Sequence, residues 1–361
     1  MAMIATLQHW LGRYSYTLAF LVLFFLWLWL RPEAPTQVYQ LDGATMGTRY
    51  QILIAGFPES VSDQELADGI EQRLFRLDRE LMSTYAPDSE LSQFNRSEPG
   101  QWVDVSPELA YVVHRSLHFS DMTGGYFDVT VGPLVDRWGF GPDQQGSLSW
   151  TRIPDQAEIS RLQSQVSYQA LQVSLQPPRL RKERDVKLDL SGIAKGYAAD
   201  VIADYFDSVG QNSYFIEIGG ELRIRGLKPD GSAWVPAIEK PEDGVPEIWA
   251  VLNTQGESLG IAGSGDYRNY FEEDGVRYSH EIDPFTGKPV THQLAAVNVI
   301  ADDALTADAL ATAFMVMGEQ RSAELAEQHG LAAYFIVKSP NGDGFEARYT
   351  SRFAHYLEEA P

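Results

Sequence analysis

Cysteine is absent from the chain. That removes disulfides, Cys-ligated zinc, iron–sulfur clusters and thiol nucleophiles together, and it leaves no N-terminal cysteine to carry a lipid. Basic residues are scarce: 28 Lys and Arg stand against 50 Asp and Glu, a formal charge of −22. A surface of that sign repels phosphate backbones and anionic lipid, so nucleic acid is set aside as a partner. The plainer meaning of the charge is solubility. An anionic ligand would need a local site built from backbone N–H groups, a helix N-terminus or a metal ion. No G-x-G-x-x-G opens a helix after a strand, which removes the Rossmann dinucleotide fingerprint. No internal repeat is evident.

Long apolar runs are rare, with one exception. Tyr14 to Leu30 holds 17 residues without a charge, between Arg13 and Arg31. A spanning helix needs about 20 such residues and at the short end about 17. A cleaved signal peptide would need small residues at its end, whereas this run closes on Trp27, Leu28, Trp29 and Leu30, then Arg31-Pro32. Bulky aromatics there suit a membrane interface. The expected organisation is a short N-terminal segment (1–13), a transmembrane anchor (14–30), a linker (31–38) and one folded domain (39–361). The brief N-terminal side and the long acidic C-terminal side favour an exported domain, which predicts a single-pass protein of a bacterial inner membrane facing the periplasm.

The remainder has ordinary globular material, with 44% hydrophobic and 12% aromatic residues, 30 Gly and 19 Pro. Thr48 to Ile54 reads as a strand. A capping box at Ser62–Glu65 opens an amphipathic helix to Met82, with Ile70, Leu74, Leu77 and Leu81 at helical spacing. A polar loop follows, then a helix over Pro107–Met122 with proline in its first turn. Thr123-Gly124-Gly125 breaks it, and Tyr126–Val131 reads as a strand. Trp138–Arg184 is rich in Gly, Pro, Gln and Ser and reads as a surface excursion. Val186–Leu190 predicts a strand that turns at Ser191-Gly192 into a helix over Ile193–Val209. Further strands are expected at Tyr214–Ile218, Glu221–Arg225, Trp234–Ile238, Ile248–Asn253, Ser258–Ala262, Ala295–Ile300 and Ala332–Lys338, with helices at Thr306–Met317 and Glu319–His329. Strands in the middle and helices at both ends predict an α+β fold, not a regular βαβ alternation.

Three places have the residue types for chemistry. Asp308 and Thr312 lie four apart on a helix, so a carboxylate and a hydroxyl share one face, a hard-ligand pair suited to Mg²⁺ or Ca²⁺. Two ligands are too few to hold the ion alone, and a pyrophosphate substrate would complete the set. An Asp near a helix start is also simply favoured by the helix dipole. Lys187–Asp200 places Asp189 at a strand end, a Ser191-Gly192 turn and Lys195 in the first turns of a helix, a natural anion site, although Ser191 as a plain helix cap explains it too. His280, among acidic residues before a Pro-Gly turn, can accept a proton near neutral pH, or can be a solvated turn histidine. Glycine-rich stretches at residues 44–48, 216–221 and 263–269 look ligand-lining, and Tyr85 is placed to stack on a planar ring.

Taken together, these stretches resemble the ApbE-type FAD:protein FMN transferases. The resemblance runs from about Tyr39 to Lys338 through eight blocks in family order: ATMGT (44–48), STY (83–85), FDVTVGPLV (127–135), LDLSGIAKGYAAD (188–200), IEIGGE (216–221), SGDYRN (264–269), HEIDPFTG (280–287) and TADALATAFMVMG (306–318). It implies an ApbE-like flavin transferase fold of mixed sheets with packed helices. FAD would be the substrate, touched by Met46, Tyr85, Tyr126, Phe127 and Asp128 on the flavin side. Asp189, Lys195 and Ile282, with the backbone of Ala311, would touch the rest. Mg²⁺ would be held by Asp308, Thr312 and a backbone carbonyl near Gly192, and His280 would take the proton. Many relatives carry an N-terminal lipidated cysteine that this chain lacks, and the position of Lys195 varies between Lys and Glu among them. The implied reaction is attack by a Ser or Thr hydroxyl of an acceptor protein on the FMN-side phosphorus of FAD, releasing AMP. The implied acceptor is a periplasm-facing subunit of a membrane redox complex. The alternatives are an FAD pyrophosphatase giving FMN and AMP, and a non-catalytic membrane-tethered flavin-binding module.

Overall fold

The computed structural model describes residues 19–27 and 37–357, apart from 142–152, 243–244, 246, 268–269, 274–275, 340 and 342–343. It divides into two units, 1–37 and 38–361. In the first, residues 19–27 are helical, with Phe20, Phe25 and Trp27 exposed. Most of the expected 14–30 anchor lies outside the described residues, and no described helix is long and apolar enough to cross a membrane.

An eight-stranded antiparallel sheet organises the second unit, and its strands lie side by side in chain order. They are β1 (Val38–Thr45), β2 (Thr48–Ala55), β3 (Tyr214–Ile218), β4 (Glu221–Arg225), β5 (Leu259–Gly265), β6 (Leu294–Ala301), β7 (Ala332–Lys338) and β8 (Phe345–Tyr349). β2 alternates as its sequence requires, with Tyr50, Ile52 and Ile54 turned into the core. β7 is buried along nearly its whole length, because apolar clusters cover both faces of the sheet.

Helices fill the excursions between strands. α1 (Asp63–Phe75) opens with the expected capping box and continues as a π-helix over Arg76–Met82. α2 (Glu90–Arg96), α3 (Pro107–Met122), α4 (Gly132–Arg137), α5 (Gln156–Gln163) and α6 (Ala194–Val209) precede β3, and α7 (Ala304–Met317) and α8 (Glu319–His329) join β6 to β7. α7 is buried on nearly every side, yet it carries one charge, Asp308, which is 3% exposed. A lone buried carboxylate in an apolar helix demands a partner.

Several sequence expectations are corrected here. Tyr126–Val131 is a run of turns and not a strand, because Asp128 accepts hydrogen bonds from the Thr130 amide and hydroxyl and so offers the backbone a local alternative to a ladder. Val186–Leu190 belongs to no strand or sheet. Asn95 takes the place of a neighbouring strand, donating to Leu188 O and accepting from Leu188 N. The polar loop after Met82 contains α2. Trp138–Arg184 is more than a surface excursion: Trp138 is buried, α5 follows, and strands at Leu171–Leu175 and Pro178–Lys182 pair into a three-stranded sheet with Trp102–Asp104. The strand expected over Trp234–Ile238 is confined to Ala237–Glu239. Ser191 does not cap α6, whose N-cap is Ile193 with no side-chain bond. α7 begins two residues earlier than expected, capped by Asp303, so Asp308 sits beyond its first turn.

Candidate active site

Turns and strand ends gather at one end of the sheet. The β1–β2 connection is the two-residue turn Met46-Gly47, with φ of 49° and 73°. The β3–β4 connection is Gly219-Gly220, with φ of 65° and 106°. Left-handed backbone at both turn positions matches the twist of the flanking strands. Glycine supplies it freely, whereas Met46 holds it against its own Cβ. Strain of this kind collects where a side chain is presented to a ligand. Met46 lines a cavity of about 1050 Å³.

That cavity brings most of the predicted residues together. Met46, Tyr85, Tyr126, Phe127, Asp128, Asp189, Gly192, Lys195, His280, Ile282, Asp308 and Thr312 all line it. Ala311 does not: it is 1% exposed and packs in the core of α7. Asp128 lines the cavity with its oxygens already engaged, by Thr130 and by Tyr168 N at 3.0 Å, so it shapes the turn beneath. Asp189 Oδ1 accepts from Ser191 N at 2.8 Å, and Asp189 N donates to Val129 O, which fixes the bend before Gly192. Tyr126 stands at the mouth, edge-on to Phe285 at 4.8 Å and hydrogen-bonded through its hydroxyl by Arg321. Tyr85 is half exposed on the same rim.

The chemistry concentrates where α6 crosses α7. Gly196 allows the crossing: a Cβ there would lie 2.2 Å from Ala304 O and 2.8 Å from Asp308 Cβ. Its amide donates to Asp308 Oδ2 at 2.9 Å. Thr312, one turn along, donates to Gly192 O at 3.4 Å, and a Cβ at Gly192 would come within 2.9 Å of the Thr312 methyl. A carboxylate, a hydroxyl one turn along the same helix and the backbone carbonyl that this hydroxyl meets therefore line one cavity, all hard donors. Among the described residues no group of three His, Cys, Asp or Glu side chains has metal-binding geometry. The donor set fits Mg²⁺, which keeps waters and recruits substrate phosphates in place of a full protein cage.

Charge around this corner is unbalanced. Lys195 Nζ lies 3.3 Å from Glu221 Oε1 and 4.0 Å from Asp308 Oδ1. Burial pushes the ammonium's pKa down, but Asp308 and Glu221 outweigh it and the net shift is upward. Burial likewise pushes the carboxyls of Asp308, Glu221 and Glu281 up, against the pull of Lys195 on each and of His280 on Glu281. Glu221 Oε2 is buried with no hydrogen-bond partner among the described residues. His280 Nε2 is 3.4 Å from Glu281 Oε1, and its ring meets the edge of Phe140 at 6.1 Å. Three buried carboxylates beside one ammonium leave a place for further positive charge. No local sequence pattern marks an individual role for Glu221 or Glu281. Each is one residue from a flagged glycine or histidine, but only the fold shows that they converge with Asp308.

Fold and cavity define a class: an α+β protein with a metal-competent, aromatic-rimmed cleft at the end of an antiparallel sheet. The ApbE family model matches residues 46–335, and the chain belongs to the ApbE family. It is 40% identical to the FAD:protein FMN transferase of Vibrio cholerae over 328 residues, covering 91% of this chain and 95% of that one. It is also 40% identical to the Escherichia coli K12 FAD:protein FMN transferase over 325 residues, covering 89% and 90%. Among solved structures, the flavin transferase ApbE from Vibrio cholerae superposes with a TM-score of 0.80 at 38% identity, over 90% of this chain and all of that one. The apo flavinyl transferase ApbE of Pseudomonas stutzeri gives 0.80 at 37% identity, over 90% and 98%.

Proposed function

We propose that this chain is a Mg²⁺-dependent enzyme that transfers FMN from FAD to a Ser or Thr hydroxyl of an acceptor protein and releases AMP. The relatives that match nearly its whole length carry the name FAD:protein FMN transferase. The observation that carries the finer reading is that Thr312, bonded to Gly192 O, and Asp308 one turn before it line the same cavity, which is rimmed by aromatics.

Asp308, Thr312 and the Gly192 carbonyl would hold a divalent ion, which would supply positive charge to the diphosphate oxygens. The chain's own residues do the rest. Tyr85, Tyr126 and Phe127 offer faces and edges to the flavin ring. Lys195 supplies a cation to phosphate oxygens within its reach. His280 accepts the hydroxyl proton as the acceptor oxygen bonds to the FMN-side phosphorus. The P–O bond to the AMP phosphate breaks, and AMP leaves with the electron pair. Asp308→Ala is expected to abolish transfer and Mg²⁺-dependent FAD binding. The test is intact-mass measurement of an acceptor incubated with the protein, FAD and Mg²⁺. An added FMN mass with AMP release is expected, and AMP and FMN without a modified acceptor would reassign the enzyme as a pyrophosphatase.

The membrane reading belongs to the same proposal. A helix exposing Phe20, Phe25 and Trp27, within a run free of charge, is supported best by a lipid environment. An anchor at 14–30 would hold the domain in the periplasm beside membrane redox subunits. Retention in the membrane pellet after alkaline extraction is expected, and release into the supernatant would remove the anchor.

A further inference from the structure

The Lys195–Glu221 pair lies beside the metal-competent oxygens without belonging to them. Lys195 Nζ lies 3.3 Å from Glu221 Oε1, 3.4 Å from Ser191 O and 4.0 Å from Asp308 Oδ1. The second Asp308 oxygen is tied to Gly196 N, so Oδ1 is the one that both the ammonium and an incoming cation would use. The lysine stem is confined. It passes Gly219, where an added Cβ would lie 3.2 Å from Lys195 Cδ and 2.7 Å from the Thr48 methyl. The ammonium therefore has Glu221 and Asp308 within 4.0 Å and little freedom to leave both.

Glu221 is the nearer of the two and is 4% exposed. It stands at the first position of β4, just after the Gly219-Gly220 turn, so the backbone aims it into the cavity. Among the described residues its Oε2 is buried without a hydrogen-bond partner. A buried carboxylate with one oxygen spare is an expensive feature to retain for structure alone. Its position gives it a use: it can hold a displaced ammonium.

We infer that Glu221 is a positioning residue that holds the Lys195 ammonium away from Asp308, leaving Asp308 Oδ1 open to the divalent ion. This rests on the Mg²⁺ reading above and deepens it. Without the Glu221 charge, the nearest carboxylate to the ammonium is Asp308, and the lysine competes with the metal for the same oxygen. Outer-shell partners of metal ligands commonly alter affinity by about 10–100-fold when removed, and an effect in that range is expected here. Loss of the competitor should cancel it. The prediction is therefore a coupling between two residues, not a property of either one.

The test uses the full chain in detergent, with Mg²⁺ titrated calorimetrically into protein saturated with FAD and without acceptor. Glu221→Gln should weaken Mg²⁺ binding by about tenfold or more. Lys195→Met should bind Mg²⁺ at least as tightly as the parent, and the double variant should recover most of the loss. FAD affinity measured without Mg²⁺ separates effects on the dinucleotide, and circular dichroism separates misfolding. An unchanged Mg²⁺ affinity in Glu221→Gln overturns the inference, as does a folded double variant that stays as weak as Glu221→Gln. If the parent binds no Mg²⁺ at all, it is the functional proposal that fails instead.

Discussion

At the scale of single residues, the site reads as a set of side chains with separable tasks. His280 is partly exposed at the cavity wall, with Glu281 on one side and the Phe140 edge on the other. A group so placed can move a proton without holding the dinucleotide. His280→Ala is therefore expected to bind FAD normally while the transfer rate falls by about 10²–10⁴, the range for losing a general base. A time course of acceptor mass beside an FAD titration checks both halves, and an unchanged rate would remove His280 from the chemistry. Asp128 is a different case. Its oxygens are spent on Thr130 and Tyr168, so it supports the turn that presents Tyr126 and Phe127. The residue types for metal, proton and ring contacts were visible in sequence, because four-residue helical spacing and a His among acids are local patterns. Glu221 was not assigned, because nothing local says which carboxylate meets Lys195.

Elements decide how finely those side chains are set. Along α6, Gly196 and Asp200, one helical turn apart, both hydrogen-bond to α7. Gly196 N bonds Asp308, and Asp200 accepts from Ala304 N at 2.9 Å and Leu305 N at 2.8 Å, the free amides at the start of α7. Arg223 of β4 holds Asp200 from the other side at 3.2 Å. Gly196→Ala would drive a methyl into Ala304 O, so α7 must move. The expected cost is about 1–3 kcal/mol of stability, read from the urea midpoint, with a larger loss of Mg²⁺ affinity because Asp308 rides on the same helix. A fully active, equally stable variant would show that this crossing does not position the site. The helices were the most legible elements: Pro107–Met122 and Glu319–His329 have the bounds expected from proline, caps and periodicity. Tyr126–Val131 and Val186–Leu190 misled, because β-rich composition there serves turns and irregular chain whose backbone is satisfied by Thr123, Asp128 and Asn95 side chains.

For the molecule as a whole, buried acids set the response to pH. Burial pushes Asp200 from its ordinary 3.8 up to about 7, against its two amide bonds, and pushes Glu221, Glu281 and Asp308 upward as well. A carboxyl whose folded pKa is raised holds its proton more tightly in the native state. Its contribution to stability is complete below the unfolded value near 4 and is lost as pH rises through the folded one. The unliganded protein should therefore melt at a lower temperature at pH 8.5 than at pH 6, and added Mg²⁺ should narrow the difference by favouring the ionised Asp308. Scanning calorimetry at constant ionic strength checks this; a melting temperature that climbs over the same interval would contradict it.

The sequence by itself determined the composition limits, most helix starts and stops, the apolar N-terminal run, the family and a core set of residues that come to line the cavity. These are properties of short segments, written in spacing, caps and glycine positions. Tertiary structure alone decided that eight strands lie in chain order, that Ala311 faces the core, and that α6 must press against α7 at Gly196. It also decided that Glu221 comes to share an ammonium with Asp308. The reason is physical: periodicity fixes which face of an element is buried, but which buried faces meet is settled only by packing over long separations in the chain.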